Sequence, residues 1–128
     1  MNKNQASQLL GEYVSAWTAT KGEYVGKLVE VIAFKGKPWR GLVEVETIIG
    51  LPDFTRYEKK PFKKGDIIEV GGVNIKEYND EIPDYEENWY KLLKHQRHFL
   101  ENYGVRERNQ YMKWYKTMEI INKKLLGE

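Results

Sequence analysis

The chain has 128 residues, of which 41% are hydrophobic and 31% charged, and its formal net charge at pH 7 is +2. This length suits one domain, and the charge is too small to indicate a partner by itself. The absence of cysteine excludes disulfides, thiolate catalysis and cysteine-ligated zinc or iron–sulfur sites.

The sequence contains no stretch that resembles a membrane span or an export signal. No uncharged apolar run approaches the ~20 residues that a transmembrane helix requires. The N-terminal residues 1–5 lack the apolar segment of a signal peptide. We therefore expect a cytoplasmic protein that does not contact a membrane.

Residues 4–17 show two competing patterns. Apolar side chains recur at the three- and four-residue intervals that mark one face of a helix. The segment Glu12 to Thr20 also suits a strand, because its aromatic and β-branched side chains fit a pleated surface. A helix that changes to a strand near Gly11 would satisfy both patterns.

Two β-rich segments follow, Tyr24 to Phe34 and Leu42 to Ile49, and they most simply pair as an antiparallel hairpin. The first segment is apolar on both of its faces, so both faces should be covered. We expect the C-terminal helices to cover the face that carries Ile32 and Phe34.

A turn at Gly65-Asp66 precedes two further predicted strands, Ile67 to Val70 and Val73 to Tyr78. The glycine of this turn tolerates a positive φ, and the aspartate side chain can bond to its own turn. The pair Gly71-Gly72 between the two strands indicates a tight hairpin.

Two amphipathic helices are predicted after the acidic stretch 80–87. Asp84 can cap the first helix, which Gly104 ends. The second helix runs from about Arg106 to Leu126. The short joint between them favours an antiparallel helical hairpin.

These elements predict an α+β fold, namely a small, mostly antiparallel SH3-like β-barrel with a short N-terminal helix and a C-terminal helical hairpin. The barrel would span about residues 23–79, and the two packed helices about residues 84–126. We expect both parts to form a single domain over residues 1–128.

The candidates for catalysis and metal binding have stronger structural explanations. Glu44 and Glu46 alternate with valines, which is typical of the solvated face of a half-buried strand. His95, His98 and Glu101 could share one helix face and hold a divalent cation, but neighbouring basic side chains would oppose the charge of a cation. We therefore expect a protein that is not an enzyme, with no catalytic residue, no metal and no cofactor.

Basic residues interleaved with aromatic ones form the pattern with most functional content. Cations can contact phosphates while rings stack on bases, provided that the loops meet at one rim of the barrel. In the competing interpretation, the rings close the barrel ends and the lysines only keep the rim solvated. The candidate nucleic-acid-binding residues lie in two loops: Lys35, Lys37, Trp39 and Arg40 in the first, and Arg56, Tyr57, Lys59, Lys60, Lys63 and Lys64 in the second.

We accordingly predict a binding module that holds RNA or DNA without strong sequence preference, with Trp39 as the stacking residue. The alternative is a structural or adaptor protein that contacts itself or another protein through the aromatic side chains of its helical hairpin. The nucleic-acid prediction requires both basic loops to lie on the same exposed edge.

Overall fold

The computed structural model describes residues 1–52 and 61–100, together with Met112 and Lys116, but not the side chains of residues 96–100. Over these residues the chain forms a five-stranded antiparallel sheet with a short helix before it and a longer helix after it. A small α+β fold is therefore confirmed. The predicted second C-terminal helix lies outside the described residues except at Met112 and Lys116, which are both helical.

The N-terminal segment is a helix that gives way to a strand, which confirms the combined interpretation. Helix α1 (Lys3–Ser7) begins with a capping box, in which the Gln5 backbone N–H donates to Asn2 Oδ1 at 2.9 Å and the Asn2 N–H donates to Gln5 Oε1 at 2.8 Å. The chain turns at Gly11, whose φ is 84°, and strand β1 (Tyr13–Thr18) follows. The sheet therefore starts before the predicted barrel start at residue 23.

The predicted antiparallel hairpin is confirmed as strands β2 (Gly22–Ile32) and β3 (Arg40–Gly50). The β2–β3 register is irregular at three places, including the step from Val25 to Gly26. Such bulges bend a strand and increase its twist. The first half of β2 consequently pairs with both β1 and β3, whereas its second half pairs with β3 alone.

The predicted tight hairpin at Gly71-Gly72 is wrong. Strand β4 (Ile67–Gly71) pairs with β3, and a 3₁₀ helix (Gly72–Asn74) then carries the chain across to β5 (Ile75–Glu77), which pairs with β1. A two-residue hairpin turn needs residues with positive φ, and neither of these glycines has one. The strand order is therefore β4-β3-β2-β1-β5.

Hydrogen bonds do not close this sheet into a barrel within the residues that the structure describes, because β4 and β5 are its two edges. The edge strand β5 nevertheless packs near β3 across the core. A Cβ atom at Gly41 of β3 would lie 2.6 Å from Ile75 Cδ1 of β5 and 2.9 Å from Leu28 Cδ1 of β2. The glycine thus allows side chains from both halves of the sheet to pack over β3.

Helix α2 (Tyr85–Leu100) covers one face of the sheet and contacts β3. The predicted cap is present, because Asp84 Oδ2 accepts a hydrogen bond from the Glu87 N–H at 3.1 Å. The helix buries Tyr85, Trp89 and Leu93 against sheet residues that include Val14, Ala16, Tyr24, Leu28, Val43, Val45, Ile48, Ile68, Val70 and Ile75.

The prediction that the helices cover Phe34 is wrong, since 66% of its surface is exposed. The reason lies in where α2 sits along β3. The Asn88 Nδ2 group donates to the Ile48 carbonyl at 2.5 Å, so the helix lies near the end of β3 that Gly50 terminates. Phe34 belongs to the loop at the other end of that strand, before Arg40.

Two tyrosine hydroxyls, here called the tyrosine pair, hold the backbone of Phe62 just before β4. The Tyr24 hydroxyl accepts from the Phe62 N–H at 2.9 Å and donates to the Lys21 carbonyl, while the Tyr85 hydroxyl donates to the Phe62 carbonyl at 2.5 Å. The Tyr24 and Phe62 rings meet edge to face with centroids 5.5 Å apart. The pair therefore joins the β1–β2 turn, the segment before β4 and helix α2.

Ionisation of this pair should lower stability at high pH. Burial raises the pKa of Tyr24 and the pKa of Tyr85 above the ordinary value of about 10. The unfolded chain therefore loses these protons first, so the stabilisation is complete below pH ~10 and decreases as pH rises above it. We therefore expect the free energy of unfolding, measured with urea, to decrease less steeply above pH ~10 for the double variant Tyr24→Phe/Tyr85→Phe than for the parent.

The matched control is Tyr13→Phe, which also removes one phenolic hydroxyl but keeps the ring that lies beneath Lys27 Nζ, 5.6 Å from it. Near neutral pH, Tyr85→Phe alone should cost about 1 kcal/mol of unfolding free energy because the Phe62 carbonyl loses its donor. If the stability of Tyr24→Phe/Tyr85→Phe decreased above pH ~10 as steeply as that of the parent, this account would be contradicted.

Candidate ligand-binding surface

Lys63 and Lys64, the described basic residues of the second loop, lie apart from the first basic loop. Residues 33–39 connect β2 to the Arg40 end of the strand, whereas the segment before β4 leaves from the Gly50 end. Lys64 Nζ lies 3.3 Å from Oε1 of Glu46, which is six residues from Arg40, or about 20 Å at roughly 3.3 Å per residue. Consecutive connections of an antiparallel meander leave from alternate ends, which explains this separation.

The structure therefore brings together Lys35, Lys37, Trp39 and Arg40 in one loop, but it does not place Lys63 and Lys64 beside them. The requirement that both loops share one edge is not met by these two lysines. Nucleic-acid binding itself stays a prediction. The other candidates of the second loop lie outside the described residues: Arg56, Tyr57, Lys59 and Lys60.

Two of the candidate phosphate contacts are paired with carboxylates. Arg40 Nε lies 3.2 Å from Glu69 Oε2, and Lys64 is paired with Glu46. Both pairs are exposed, so each contributes little to stability. Their carboxylates would nevertheless repel a phosphate that approached the same cation.

Trp39 is half-buried against the core, contrary to the expectation of a free stacking residue. Its Nε1–H donates to the Met1 carbonyl at 3.1 Å. A Cβ atom at Gly72 would lie 2.5 Å from Trp39 Cδ2 and 2.6 Å from Cζ2, so the glycine backbone lies directly against the indole. The Gly72 N–H also donates to the Trp39 carbonyl at 2.9 Å. The ring is thus a fixed wall, with one face covered by the 3₁₀ helix.

A groove of about 740 Å³, here called the tryptophan groove, opens beside this wall. Two large apolar side chains on it are open to solvent: Trp17 is 49% exposed and Val73 is 87% exposed. Both were absent from the predicted site, although their exposure is the feature that marks it. The lining residues are Trp17 to Ala19 from the end of β1, Lys37 to Arg40 from the start of β3, and Glu69 to Asn74 from β4 and the 3₁₀ helix.

A second pocket of about 520 Å³, here called the lysine pocket, lies on the other side of Pro38 and Trp39. It shares Lys37, Pro38 and Trp39 with the tryptophan groove, so the two form one continuous surface. Phe34 projects from it with 66% of its surface exposed. The lining residues are Met1, Asn2, Lys3, Ala33, Phe34, Lys35, Lys37, Pro38 and Trp39.

Neither cavity holds a recognisable set of catalytic groups. In residues 1–52 and 61–95, where side chains are described, no three of the side chains His, Asp and Glu cluster as metal ligands. His98 and Glu101 of the predicted cation site lie outside that part of the chain. No helix of the described chain is long and apolar enough to cross a membrane. The surface consists of exposed aromatic and aliphatic side chains next to cations, which is typical of a binding site.

The comparisons with known proteins bear on the fold. No protein-family model matches the chain, and no curated protein sequence matches it. Its structure is similar to the X-ray crystal structure of kinase-associated protein B from Bacillus cereus, with a TM-score of 0.68 and 20% sequence identity over 86% of this chain and 94% of that one. The two chains share a fold. At this identity the likeness says nothing about the ligand.

The contact between Gly72 and Trp39 can be tested with neighbouring glycines. Gly72→Ala would force its new methyl group into the indole, so we expect a loss of about 1–3 kcal/mol in unfolding free energy and a changed near-ultraviolet circular dichroism signal from tryptophan. Gly71→Ala is the control, because its Cβ would meet only Arg40 Nη1 at 3.6 Å. Equal stability of the two variants in urea would show that the indole does not depend on this glycine.

Proposed function

We propose that this protein is a non-enzymatic binding module that holds an extended segment of a partner protein in the tryptophan groove. The observation that carries the proposal is the exposure of Val73 and Trp17 on the walls of one groove. Exposed apolar patches next to polar residues are typical of interaction sites, and tryptophan is a frequent anchor at protein interfaces.

Val73 is held in place by its neighbours. It is the middle residue of the 3₁₀ helix, between Gly72, which is buried, and Asn74, which is partly buried. Ile75, which follows the helix, is only 1% exposed. The Val73 side chain is therefore presented by a short helix that is anchored at both ends. A preformed apolar surface binds with a smaller loss of conformational entropy than a disordered one.

We further propose that the sheet is of the SH3-like class, in which the last strand pairs with the first. Support comes from the antiparallel order β4-β3-β2-β1-β5 and from the contact of β1 with both β4 and the 3₁₀ helix. Aromatic-lined grooves of SH3 domains bind extended peptide segments. The tryptophan groove, with Pro38 and Trp39 on one wall, has the same general chemistry.

A protein ligand is close to the adaptor alternative, but the surface differs from the predicted one. Tyr85 and Trp89 of helix α2 are 5% and 0% exposed, so these two aromatic side chains belong to the core. Four other aromatic residues of the predicted helical hairpin lie outside the described residues: Tyr103, Tyr111, Trp114 and Tyr115.

We favour a protein ligand over nucleic acid for two reasons. One face of Trp39 lies on Gly72, which leaves less of the ring for stacking on a base. Arg40 already has Glu69 as its partner, and this carboxylate lines the same groove. A nucleic-acid strand carries a negative charge at every phosphate and would be repelled by that carboxylate. An apolar peptide side chain carries no charge and would not be repelled.

The proposal can be tested by selecting a phage-displayed library of random short peptides on the immobilised protein. Enriched peptides, synthesised and measured by calorimetry, should bind Val73→Asp at least about tenfold more weakly, equivalent to about 1.4 kcal/mol. Val73 is 87% exposed, so this change should leave the fold intact.

Ile67→Asp is the matched control for this test. Ile67 is also an exposed aliphatic residue, 60% exposed, but it does not line the tryptophan groove. Its substitution should leave peptide affinity unchanged. The proposal fails if no peptide is enriched, or if the enriched peptides bind Val73→Asp as tightly as the parent.

A further inference from the structure

The lysine pocket combines an apolar floor with an unbalanced positive charge. Lys3, Lys35 and Lys37 line it, and its lining contains no aspartate or glutamate. The floor is formed by Pro38 and Trp39, with Phe34 exposed beside them. A net charge of +2 for the whole chain conceals this local excess.

These three lysines differ from Arg40 and Lys64, two cations of the predicted site. In the described part of the chain, the ion pairs within 4.0 Å are Arg40 with Glu69 and Lys64 with Glu46, and neither involves a lysine of this pocket. Their ammonium groups are thus available to an anion from outside. Cations that are free before binding can form new pairs without first breaking old ones.

The backbone that carries the lysines is ordered by local contacts. Lys3 begins helix α1, which is fixed by its capping box and by Ala6, a residue with 0% exposure. Lys35 and Lys37 lie in a turn in which the Lys37 N–H donates to the Phe34 carbonyl at 3.1 Å. The backbone positions of the three lysines around the pocket are therefore set before a ligand binds.

The pocket is continuous with the tryptophan groove through Pro38 and Trp39. A peptide segment that lies in the groove can therefore continue across these two residues towards the lysines. At the groove, Arg40 is paired with Glu69, and Trp17 and Val73 expose apolar surface. Along this path the surface gains positive charge, because Lys3 and Lys35 line the pocket but not the groove.

We propose that the partner segment is acidic, with apolar side chains in the tryptophan groove and aspartate or glutamate side chains against Lys3, Lys35 and Lys37. This inference rests on the proposed function and specifies the chemistry of its ligand. A nucleic acid matches the lysine pocket, but it would bring further phosphates towards Glu69 in the adjoining groove. A peptide can place its charges at one end only, as this surface requires.

The test compares an acidic peptide from the library selection with its amide analogue, in which every aspartate and glutamate becomes asparagine or glutamine. The double variant Lys35→Glu/Lys37→Glu should bind the acidic peptide at least about tenfold more weakly, and the amide analogue within about twofold of the parent protein. Affinity for the acidic peptide should also decrease as salt rises.

The control is Lys63→Glu/Lys64→Glu, which changes the net charge of the protein by the same amount on the turn beside Glu46. This variant should bind the acidic peptide as the parent does, because the effect depends on position and not on total charge. Circular dichroism should show that both double variants are folded. A control variant that weakens binding as much as Lys35→Glu/Lys37→Glu would overturn the assignment of the acidic groups to the lysine pocket.

The remaining outcomes separate this inference from the proposed function. An amide analogue that binds the parent as tightly as the acidic peptide overturns the inference, while sensitivity to Val73→Asp keeps the groove proposal intact. If labelled oligo-dT or oligo-U displaces the peptide, and if this displacement requires Lys35 and Lys37, the acidic-peptide inference is overturned in favour of nucleic acid. Self-association that is abolished by Lys35→Glu/Lys37→Glu would assign the pocket to the acidic stretch 80–87 of a second copy, and would overturn it as well.

Discussion

The candidate surface depends on the close approach of Gly72 to Trp39. Because this residue has no Cβ atom, the backbone of the 3₁₀ helix can lie against the indole, and its N–H can donate to the Trp39 carbonyl at 2.9 Å. The same contact directs the chain towards β1, where Ile75 begins the last strand. One contact thus seats the tryptophan, determines where β5 pairs and leaves Val73 exposed above the core.

Two parts of the structure differ in how their aromatic side chains are exposed. At the end of the sheet nearer helix α2, Tyr24 and Tyr85 satisfy both backbone polar groups of Phe62, and the tyrosine rings are buried. Around the two cavities, by contrast, Trp17 and Phe34 stay exposed. Hydrogen bonds from the tyrosine pair thus fix the backbone before β4, whereas the side chains around the cavities expose apolar surface to a ligand.

Charge is distributed by local pairing as well as by composition. Arg40 and Lys64 are held beside Glu69 and Glu46, and these exposed pairs contribute little energy but decide which cations remain available. The lysine pocket is the part of the candidate surface where positive charge is unbalanced. The sequence shows that a loop is basic but not whether its charges are paired. The prediction of one cationic surface therefore counted Arg40 and Lys64 as free positive charges, although both are paired with glutamates.

Local features of this protein follow from its sequence. Gly65 has a φ of 94°, and Asp66 Oδ2 accepts from the Lys63 N–H at 3.0 Å, as turn chemistry predicted. The β2–β3 hairpin and the Asp84 cap also depend on interactions between nearby residues. The tertiary structure alone decided that β5 pairs with β1, that Gly72 accommodates an indole instead of forming a hairpin, and that Lys63 and Lys64 lie apart from the first basic loop. Such features depend on the packing free energy of residues distant in the chain, which local conformational preference does not encode.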